Sequence, residues 1–429
     1  MAQFLFASNA LGATTESLAV TAASIRRLGF GTKHWYLSSK GGSAPTTAGV
    51  SGLPVSSRRI ALGDHPSAEW VVFVPAGDKV SPDALRAARQ AADDVDVIYG
   101  DTRHEVKRTD KLPTFQRRPS YSPERLRSHD YIGGFVLARR RTVDAAGGLE
   151  LLVSTDSHDR NLRLCEQARS VLRVAEIVNL TPSNNFLPGA NPHAVREHLS
   201  RVGITADIDF DDATPCVRVR RRLSRRPLVS VVIPTRGSSA ELRGKHTPLV
   251  VNTVRTMLEK STYQELEFIV VADTPTPAEV RTALAQLAGE RLTIVDYDQA
   301  FNFAVKNNIG VAHSNGEFIL LLNDDTEIIT PDALETMLSF FEDPTIGIVG
   351  PILHFEDGTI QSAGHVFSPD PTDMYRLQPA DTRGAHNYLR VQREASSVIA
   401  ACLMTSRKAF DAVGGLSTQF PANWNDVDF

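Results

Sequence analysis

The sequence predicts an α/β protein made of two consecutive domains with mostly parallel sheets. Three observations support this prediction: short apolar strands alternate with helices, the alternation begins twice, and the two series share segments in the same order. A length of 429 residues agrees with it, since one domain usually takes about 100 to 200 residues.

The first series opens with a strand, a helix that carries Leu18, Ala22 and Ile25 on one face, and a second strand, which is the pattern of a βαβ unit. Its predicted elements are strands at 4–7, 34–37, 59–62 and 70–74, with helices at 14–28 and from Pro82. The second series has predicted strands at 228–234, 268–272 and 293–296, with helices at 248–259 and 278–288.

Internal repetition links the two series. VVFVPAGDKVSPDAL (71–85) aligns with ILLLNDDTEIITPDAL (319–334) with one gap, and YIGGFVLARRRTVDAAGGL (131–149) aligns with VIAACLMTSRKAFDAVGGL (398–416) without one. The shared Pro-Asp-Ala-Leu and Ala-x-Gly-Gly-Leu favour a duplicated domain over a chance likeness of two α/β domains. We therefore predict a first domain at 1–185 and a second at 227–429.

The predicted linker, residues 186–226, contains a short helix at 192–202 and the basic run RVRRRLSRRP. A solvated connector is the simpler interpretation of such a charge run, and contact with an anionic membrane surface is the alternative.

Composition disfavours several classes of protein. The 46 Lys+Arg and 50 Asp+Glu give a formal net charge of −4, which argues against nucleic acid as the partner. Three widely spaced cysteines indicate neither a disulfide framework nor a thiolate zinc site. The N-terminus lacks a signal-peptide pattern and no run approaches 18 apolar residues, so we expect a cytoplasmic protein.

The strongest local motif is GEFILLLNDDTEI (316–328), where a buried strand ends in Asn323, Asp324 and Asp325. Carboxyl ends of parallel strands face the crevice in which open α/β sheets bind ligands. Carboxylate oxygens suit a hard divalent cation, Mg²⁺ or Mn²⁺, completed by substrate phosphates. On local grounds alone, an ordinary turn rich in Asn and Asp remains an alternative.

The order of several motifs adds to this interpretation. SVVIPTR, FIVVADTPT, FNFAVKNNIG and NWNDVDF occur in a sequence that resembles glycosyltransferase family 2 of GT-A fold over about 226–429, and especially its O-antigen or rhamnosyltransferase-type members. The resemblance implies two tandem GT-A-like, Rossmann-like domains. It also implies an inverting, metal-dependent sugar transfer from a dTDP- or UDP-sugar, with L-rhamnose the sugar suggested by the subgroup. The implied acceptor is a lipid-linked or growing surface polysaccharide of the cell envelope, reached at the cytoplasmic face of the membrane.

The resemblance also implies roles for individual residues. Asp426 would be the catalytic base, although a helix N-cap is its structural alternative. Asp325 and Asn323 would hold the metal, with Asn323 standing where the family has Asp. The residues implied in nucleotide-sugar binding are Pro234, Thr235, Asp273, Asn302, Asn308 and Asp324, of which Asn302 and Asn308 also fit turn or cap positions.

The first domain looks degenerate by the same comparison. Pro75 and Gly77 stand at the carboxylate positions, so only Asp78 remains, and the base position aligns with either Ser157 or Asp159. We expect a structural, acceptor-binding or partner-binding role for this domain.

Two other functions remain open at this stage. PTRGSSAELRGK superficially resembles the phosphate loop of a nucleotidyltransferase but contains only two glycines. A non-catalytic scaffold that binds saccharide or a partner enzyme is the alternative outside enzymes. Because family 2 enzymes continue past the acidic motif, the resemblance also implies a second domain that is truncated after its base.

Overall fold

The computed structural model describes residues 3–31, 34–38, 67–105, 114–182, 189–211, 214–367 and 369–429. The chain divides into two compact units. One contains Met1–Val219 and Ala385–Glu394, and the other contains Arg220–Gly384 and Ala395–Phe429.

The first unit alternates strands and helices from its start. Its strands are β1 (Gln3–Asn9), β2 (Trp35–Ser38), β3 (Ala68–Phe73), β4 (Lys79–Val80), β5 (Val95–His104), β6 (Thr114–Gln116), β7 (Val136–Arg139), β8 (Ser170–Thr181), β9 (Ala206–Asp211) and β10 (Cys216–Arg221). Its helices are α1 (Thr15–Arg27), α2 (Pro82–Gln90), α3 (Pro123–Ser128), α4 (Arg140–Ala145), α5 (Leu149–Ser154), α6 (Ser157–Gln167) and α7 (Pro192–Arg201).

The main sheet of the first unit is mixed rather than mostly parallel. Its strand order is β2-β1-β3-β7-β5-β8-β4, with β6 paired to β5. β1 pairs in parallel with β2 and β3, and β5 pairs in parallel with β8, whereas β7 runs antiparallel to both β3 and β5. The apolar pattern predicts each strand but not its direction, because direction depends on the end of the sheet at which the chain re-enters.

The second unit has the clearer α/β pattern. Its strands are β11 (Val229–Thr235), β12 (Ser239–Leu242), β13 (Lys245–Pro248), β14 (Leu266–Asp273), β15 (Leu292–Tyr297), β16 (Phe318–Leu322), β17 (Ile348–Val349), β18 (Leu353–His354), β19 (Ile360–Ser362), β20 (His365–Phe367), β21 (Pro371–Asp373) and β22 (Cys402–Ser406). Its helices are α8 (Leu249–Lys260), α9 (Ala278–Ala288), α10 (Phe303–Ala312), α11 (Ala333–Phe340), α12 (Arg407–Val413) and α13 (Asn425–Asp428).

The main sheet of the second unit has the order β15-β14-β11-β16-β22-β17. Its first four strands are parallel, and β22 runs antiparallel to both β16 and β17. Both β11 and β16 are buried along their whole length, which explains their continuous apolar sequence. Alternate residues of β11 enter two apolar clusters, Val231 with Val254 of α8 and Val232 with Ala304 of α10, so helices cover both faces.

The elements expected from periodicity are present with shifts of one or two residues at their ends. The exception is the strand expected at 59–62, which lies outside the described residues. The prediction of a mixed α/β protein with parallel-rich sheet is confirmed for the second unit.

The stretch that we predicted as a linker is largely folded structure. It contains α7 together with the two-stranded sheet β9–β10, and Val195, Leu199, Val217 and Val219 enter the main apolar cluster of the first unit. The basic run is thus partly a strand, in which Val217 and Val219 are buried and Arg218 is exposed. We interpreted this run by its charge and did not recognise the alternation of apolar and polar residues that is typical of a strand.

Among the described residues, no helix combines the length and apolar character needed to cross a membrane.

The close approach of α10 to the sheet gives a first test. A Cβ atom at Gly310 would lie 2.4 Å from Val232 Cγ1 and 3.1 Å from Val271 Cγ2, so Gly310→Ala should overpack this face. We expect it to lower the free energy of unfolding by about 1–3 kcal/mol in urea titrations. Gly347→Ala is the matched control, since its added Cβ meets nothing within 4 Å. Equal midpoints for both variants would contradict this packing.

Candidate active site

A cavity of about 700 Å³ opens at the carboxyl ends of β11, β14 and β16. This is the edge at which open α/β sheets bind ligands, and the volume is within the usual range for small-molecule sites. Seven of the nine predicted site residues line it: Pro234, Thr235, Asp273, Asn323, Asp324, Asp325 and Asp426. They come from four separate stretches of chain that the sheet topology brings together.

A buried lysine joins the ends of the first two strands. Lys306 of α10 is 1% exposed, and its Nζ donates to the carbonyl oxygen of Thr235 (2.8 Å) and to Asp273 Oδ1 (2.7 Å). The ammonium group also lies 5.4 Å from the ring centroid of Tyr297. It therefore fixes the Asp273 carboxylate at the cavity wall and balances its charge.

Sequence reasoning did not assign a role to Lys306. A signal was available, because Lys306 lies three residues after Phe303 and four before Gly310, on the face of α10 that packs against the sheet. A charged residue at a buried helical position needs a partner, and Asp273 provides it.

Thr235 connects β11 to the acidic motif. Its hydroxyl donates to Asp324 Oδ2 (2.5 Å) and accepts from the amide of Gly237 (2.9 Å). Burial raises the pKa of Asp324, while the Thr235 hydrogen bond opposes the shift and the neighbouring Asp325 charge adds to it. Thr253 of α8 donates to the Asp324 carbonyl (2.8 Å), so the turn is fixed from two sides.

Asp325 differs from its neighbour. It is exposed at the cavity, and within the described part of the chain it makes no hydrogen bond or ion pair. The amide of Asn323 donates to the carbonyl of Ala401 (3.0 Å), which ties the motif to β22. The turn thus presents one carboxylate outward while the other is held by protein groups.

Asp426 does not cap the helix in which it lies. The N-cap of α13 is Trp424, with no side-chain hydrogen bond, and Asp426 Oδ2 instead accepts from the amide of Ala400 (3.0 Å). This bond orients the carboxylate at the cavity wall. The N-cap alternative for Asp426 is therefore wrong.

Asn302 and Asn308 do not line the cavity. Asn302 caps α10 by accepting from the amide of Val305 (3.0 Å) and donates to the carbonyl of Thr418 (3.0 Å). Asn308 exchanges two hydrogen bonds with the backbone of Leu416. Both side chains fasten α10 to the 416–418 segment rather than reaching the cavity. Asn302 is the helix cap that its alternative suggested, whereas Asn308 lies within α10 and caps neither end.

The four aspartates that line the cavity outnumber its cations, Lys306 and Arg236. This imbalance favours a bound cation. Among the described residues, however, no group of three His, Cys, Asp or Glu side chains could hold a metal. A metal at Asp325 would need oxygen ligands from a bound substrate.

The segment PTRGSSAELRGK forms the antiparallel hairpin β12–β13 after Gly237. A phosphate loop needs a run of free amides that opens a helix, and a paired hairpin does not supply one.

In the first unit, residues that align with the acidic turn and with Ala400 contact other groups of the same unit. Asp78 is buried and accepts from Asn179 Nδ2 (2.5 Å), and burial raises its pKa to about 6. Gly133, which aligns with Ala400, donates its amide to Asp130 Oδ1 (2.8 Å). A Cβ at Gly133 would meet the Arg118 guanidinium at 2.8 Å, so the arginine lies directly against this backbone.

Fold and site together describe an α/β domain with a cavity of small-molecule size at the carboxyl edge of its sheet. Residues 230–414 match the family model for glycosyl transferase family 2. The second unit therefore contains a domain that belongs to glycosyltransferase family 2, and the resemblance stated from its motifs is confirmed.

Two curated relatives extend the similarity over both units. O-antigen biosynthesis protein RfbC of Myxococcus xanthus is 29% identical over 381 residues, which cover 84% of this chain and 29% of RfbC. The uncharacterized protein y4gI of Sinorhizobium fredii is 31% identical over 385 residues, covering 84% of this chain and 41% of y4gI. The chain thus spans less than half the length of either relative. The similarity to RfbC agrees with an O-antigen-type member of the family.

A solved structure also matches part of the chain. It is the mannosyltransferase PcManGT of Pyrobaculum calidifontis in complex with GDP-Man and Mn²⁺, with 18% identity and a TM-score of 0.33. The match covers 53% of this chain and 55% of that one.

The Lys306–Asp273 contact can be measured by a double-mutant cycle. Lys306→Met removes the cation that forms an ion pair with Asp273, the only such pair of Asp273 among the described residues. We expect a coupling free energy of about 1–3 kcal/mol between this substitution and Asp273→Asn. Urea unfolding of the four proteins measures it.

The pair Arg281–Asp296 (2.7 Å) is the control, since Asp296 is 74% exposed and an exposed pair should couple by about 0–1 kcal/mol. Equal coupling in the two cycles would contradict a special role for Lys306.

Proposed function

We propose that the second unit transfers a sugar from a nucleotide-diphosphate donor to a saccharide acceptor. The observation that carries this proposal is the convergence of Thr235, Asp273, Asp325 and Asp426 on one cavity. Membership of glycosyltransferase family 2 supports it.

The nucleoside of the donor would bind at the tips of β11 and β14. Pro234 and Thr235 would contact the nucleoside through their backbone, and Asp273 would contact it through a carboxylate that Lys306 holds in place. A fixed acceptor group recognises the donor groups of a base or ribose without the entropic cost of ordering a free side chain. The diphosphate would then extend toward the Asn323–Asp325 turn and the exposed Arg236.

A divalent cation, Mg²⁺ or Mn²⁺, fits the outward carboxylate of Asp325, with Asn323 as a weaker neighbour. The excess of carboxylates in the cavity supports this site, as does the lack of a partner for Asp325 among the described residues. When bound, the cation would neutralise charge that develops on the leaving diphosphate. Asp324 would support the turn through Thr235 rather than bind metal directly.

Asp426 would act as the base of an inverting transfer. The acceptor hydroxyl forms a bond to the anomeric carbon as the bond to the diphosphate oxygen breaks, and its proton passes to Asp426. The Ala400 amide occupies Oδ2 and orients the carboxylate for this task. In an inverting transfer the leaving group and the base act on opposite faces of the sugar, as in inverting glycoside hydrolysis.

The finer assignment follows the O-antigen subgroup. L-Rhamnose from a dTDP donor is the proposed sugar, and a lipid-linked or growing surface polysaccharide is the proposed acceptor. A lipid-linked acceptor would require peripheral contact with the inner face of the plasma membrane.

We also propose that the first unit arose by duplication and lost its donor site. The strand order β2-β1-β3-β7-β5 has the same connections and directions as β14-β11-β16-β22-β17. Gly147 and Gly148 align with Gly414 and Gly415, and all four have positive φ angles. Among the described residues, Asp78, the carboxylate that remains near the aligned position, is buried, and the Arg118 guanidinium lies against Gly133.

Asp426→Asn tests the base. In the full chain we expect kcat to fall by about 10²–10⁴-fold while donor binding stays unchanged, because only proton removal is lost. Asp428→Asn is the control, since Asp428 lies exposed in the same helix and outside the cavity lining. Sugar release from a panel of dTDP- and UDP-sugars measures both. Normal turnover by Asp426→Asn would refute the role of this residue.

Asp325→Ala tests the metal site. Calorimetry with UDP and dTDP should show binding that Mn²⁺ strengthens in the wild-type chain and not in this variant, with Asp411→Ala as an exposed control outside the cavity. A wild-type chain without metal-dependent nucleotide binding would favour the non-catalytic scaffold instead.

A further inference from the structure

Two large aromatic side chains at the cavity are exposed. Trp424 is 49% exposed and Phe301 is 59% exposed, and both belong to the cavity lining. Aromatic rings of this size usually bury most of their surface in a core or an interface. Their exposure beside a carboxylate-lined cavity indicates a ligand surface.

The backbone at Trp424 is strained. Its φ of +69° and ψ of 0° place it in the left-handed region, which favours glycine and is unfavourable for a bulky residue. The neighbouring bonds hold this conformation: Asp428 donates its amide to the Trp424 carbonyl (3.0 Å), and the buried Asn425 donates to the Phe420 carbonyl (3.4 Å). Strain of this kind is typical of residues that present a side chain to a ligand.

The segments that carry the two rings are fastened to each other. The amide of Phe303 donates to the carbonyl of Pro421 (2.7 Å), and Asn302 Nδ2 donates to the carbonyl of Thr418 (3.0 Å). Asn302, which was predicted as a site residue, thus connects the two segments through its side chain. The two bonds make the start of α10 and the stretch before α13 one wall of the cavity.

We propose that Trp424 and Phe301 form an acceptor-sugar subsite, in which the apolar C–H face of a hexopyranose ring stacks on the indole. A pyranose presents an apolar face and a rim of hydroxyls, so it needs an aromatic surface with polar groups at its edge. Asp426 follows Trp424 by two residues and supplies such a group, and Asn423 also lines the cavity. This inference rests on the proposed function, because the stacked sugar is the one whose hydroxyl Asp426 deprotonates.

A nucleobase is the other ring that could stack here. The base has its proposed place at the tips of β11 and β14, beside the Lys306–Asp273 pair, which belongs to a different stretch of the wall. The acceptor, in contrast, must lie next to Asp426. The stacking partner of Trp424 is therefore the acceptor sugar.

The distribution of tryptophan makes this directly measurable. The chain has three tryptophans, and Trp35 (4% exposed) and Trp70 (0% exposed) are buried in the first unit. Quenching of intrinsic fluorescence by acrylamide therefore reports almost entirely on Trp424. Methyl hexopyranosides and their di- and trisaccharides should lower the quenching constant of the full chain at least twofold at saturation, and UDP or dTDP should leave it unchanged.

Protection by nucleotide in place of saccharide would overturn the proposal in favour of base stacking. Absence of protection by any saccharide of the panel would overturn it as well. Because this readout needs no turnover, a chain that binds saccharide at Trp424 but transfers no sugar would refute the proposed function and leave the subsite standing.

Kinetics give a second readout where transfer is measured. Trp424→Ala should raise the acceptor KM about 10-fold or more, with donor KM and donor hydrolysis within about twofold of wild type. Trp424→Phe should recover most of the loss. Trp424→Gly should have the same acceptor KM as Trp424→Ala. Its melting temperature should be no lower than that of the wild type, because glycine relieves the strain at this φ.

Phe367→Ala is the control, since Phe367 is also 49% exposed and lies outside the cavity lining. A parallel rise in donor KM, or an acceptor KM unchanged in Trp424→Ala, would contradict the subsite.

Discussion

One buried ammonium group determines the shape of the candidate site. Lys306 Nζ bonds to the end of β11 and to the side chain at the end of β14, and so adds a side-chain link at the tips of two strands that the backbone pairs as far as Thr235 and Ala272. Thr235, whose carbonyl the lysine binds, passes the constraint to the acidic turn through its hydroxyl bond to Asp324. The turn in turn holds β22 through Asn323 and Ala401, next to the amide that orients Asp426. A series of polar contacts, which starts at the buried ammonium group of Lys306, thus connects the residues of the cavity wall.

Much of this arrangement could be predicted from the sequence because parallel strands end at a common edge. Once β11, β14 and β16 were recognised by their apolar runs, Thr235, Asp273 and Asp324 had to meet there. Lys306 was missed because helical periodicity marks where a side chain lies and not what it binds. Asn302 and Asn308 were predicted to bind the ligand from the family resemblance alone. Their hydrogen bonds to Thr418 and Leu416 are tertiary contacts, which no local sequence pattern indicates.

The first unit has a strand arrangement like that of the second unit but different side-chain contacts at the aligned positions. Its strands β3 and β7 pair antiparallel like β16 and β22, and its glycine pair, like Gly414 and Gly415, has positive φ angles. At the place of the acidic turn, however, Asp78 is buried under Asn179, and Arg118 lies against Gly133. The antiparallel strands of this unit, and the packing of α7, β9 and β10 in it, were not predicted, because strand direction and domain limits follow from which surfaces pack together.

The proposed function requires the edge formed by β11, β14 and β16 to bind a nucleotide diphosphate. Amide hydrogen exchange of the full chain, with and without UDP or dTDP in the presence of Mg²⁺, measures this binding residue by residue. We expect slower exchange at the tips of these strands, around 235–238, 273–276 and 323–326, and at 399–401, with the first unit unchanged. Protection confined to the first unit, or none at the three strand tips, would contradict it.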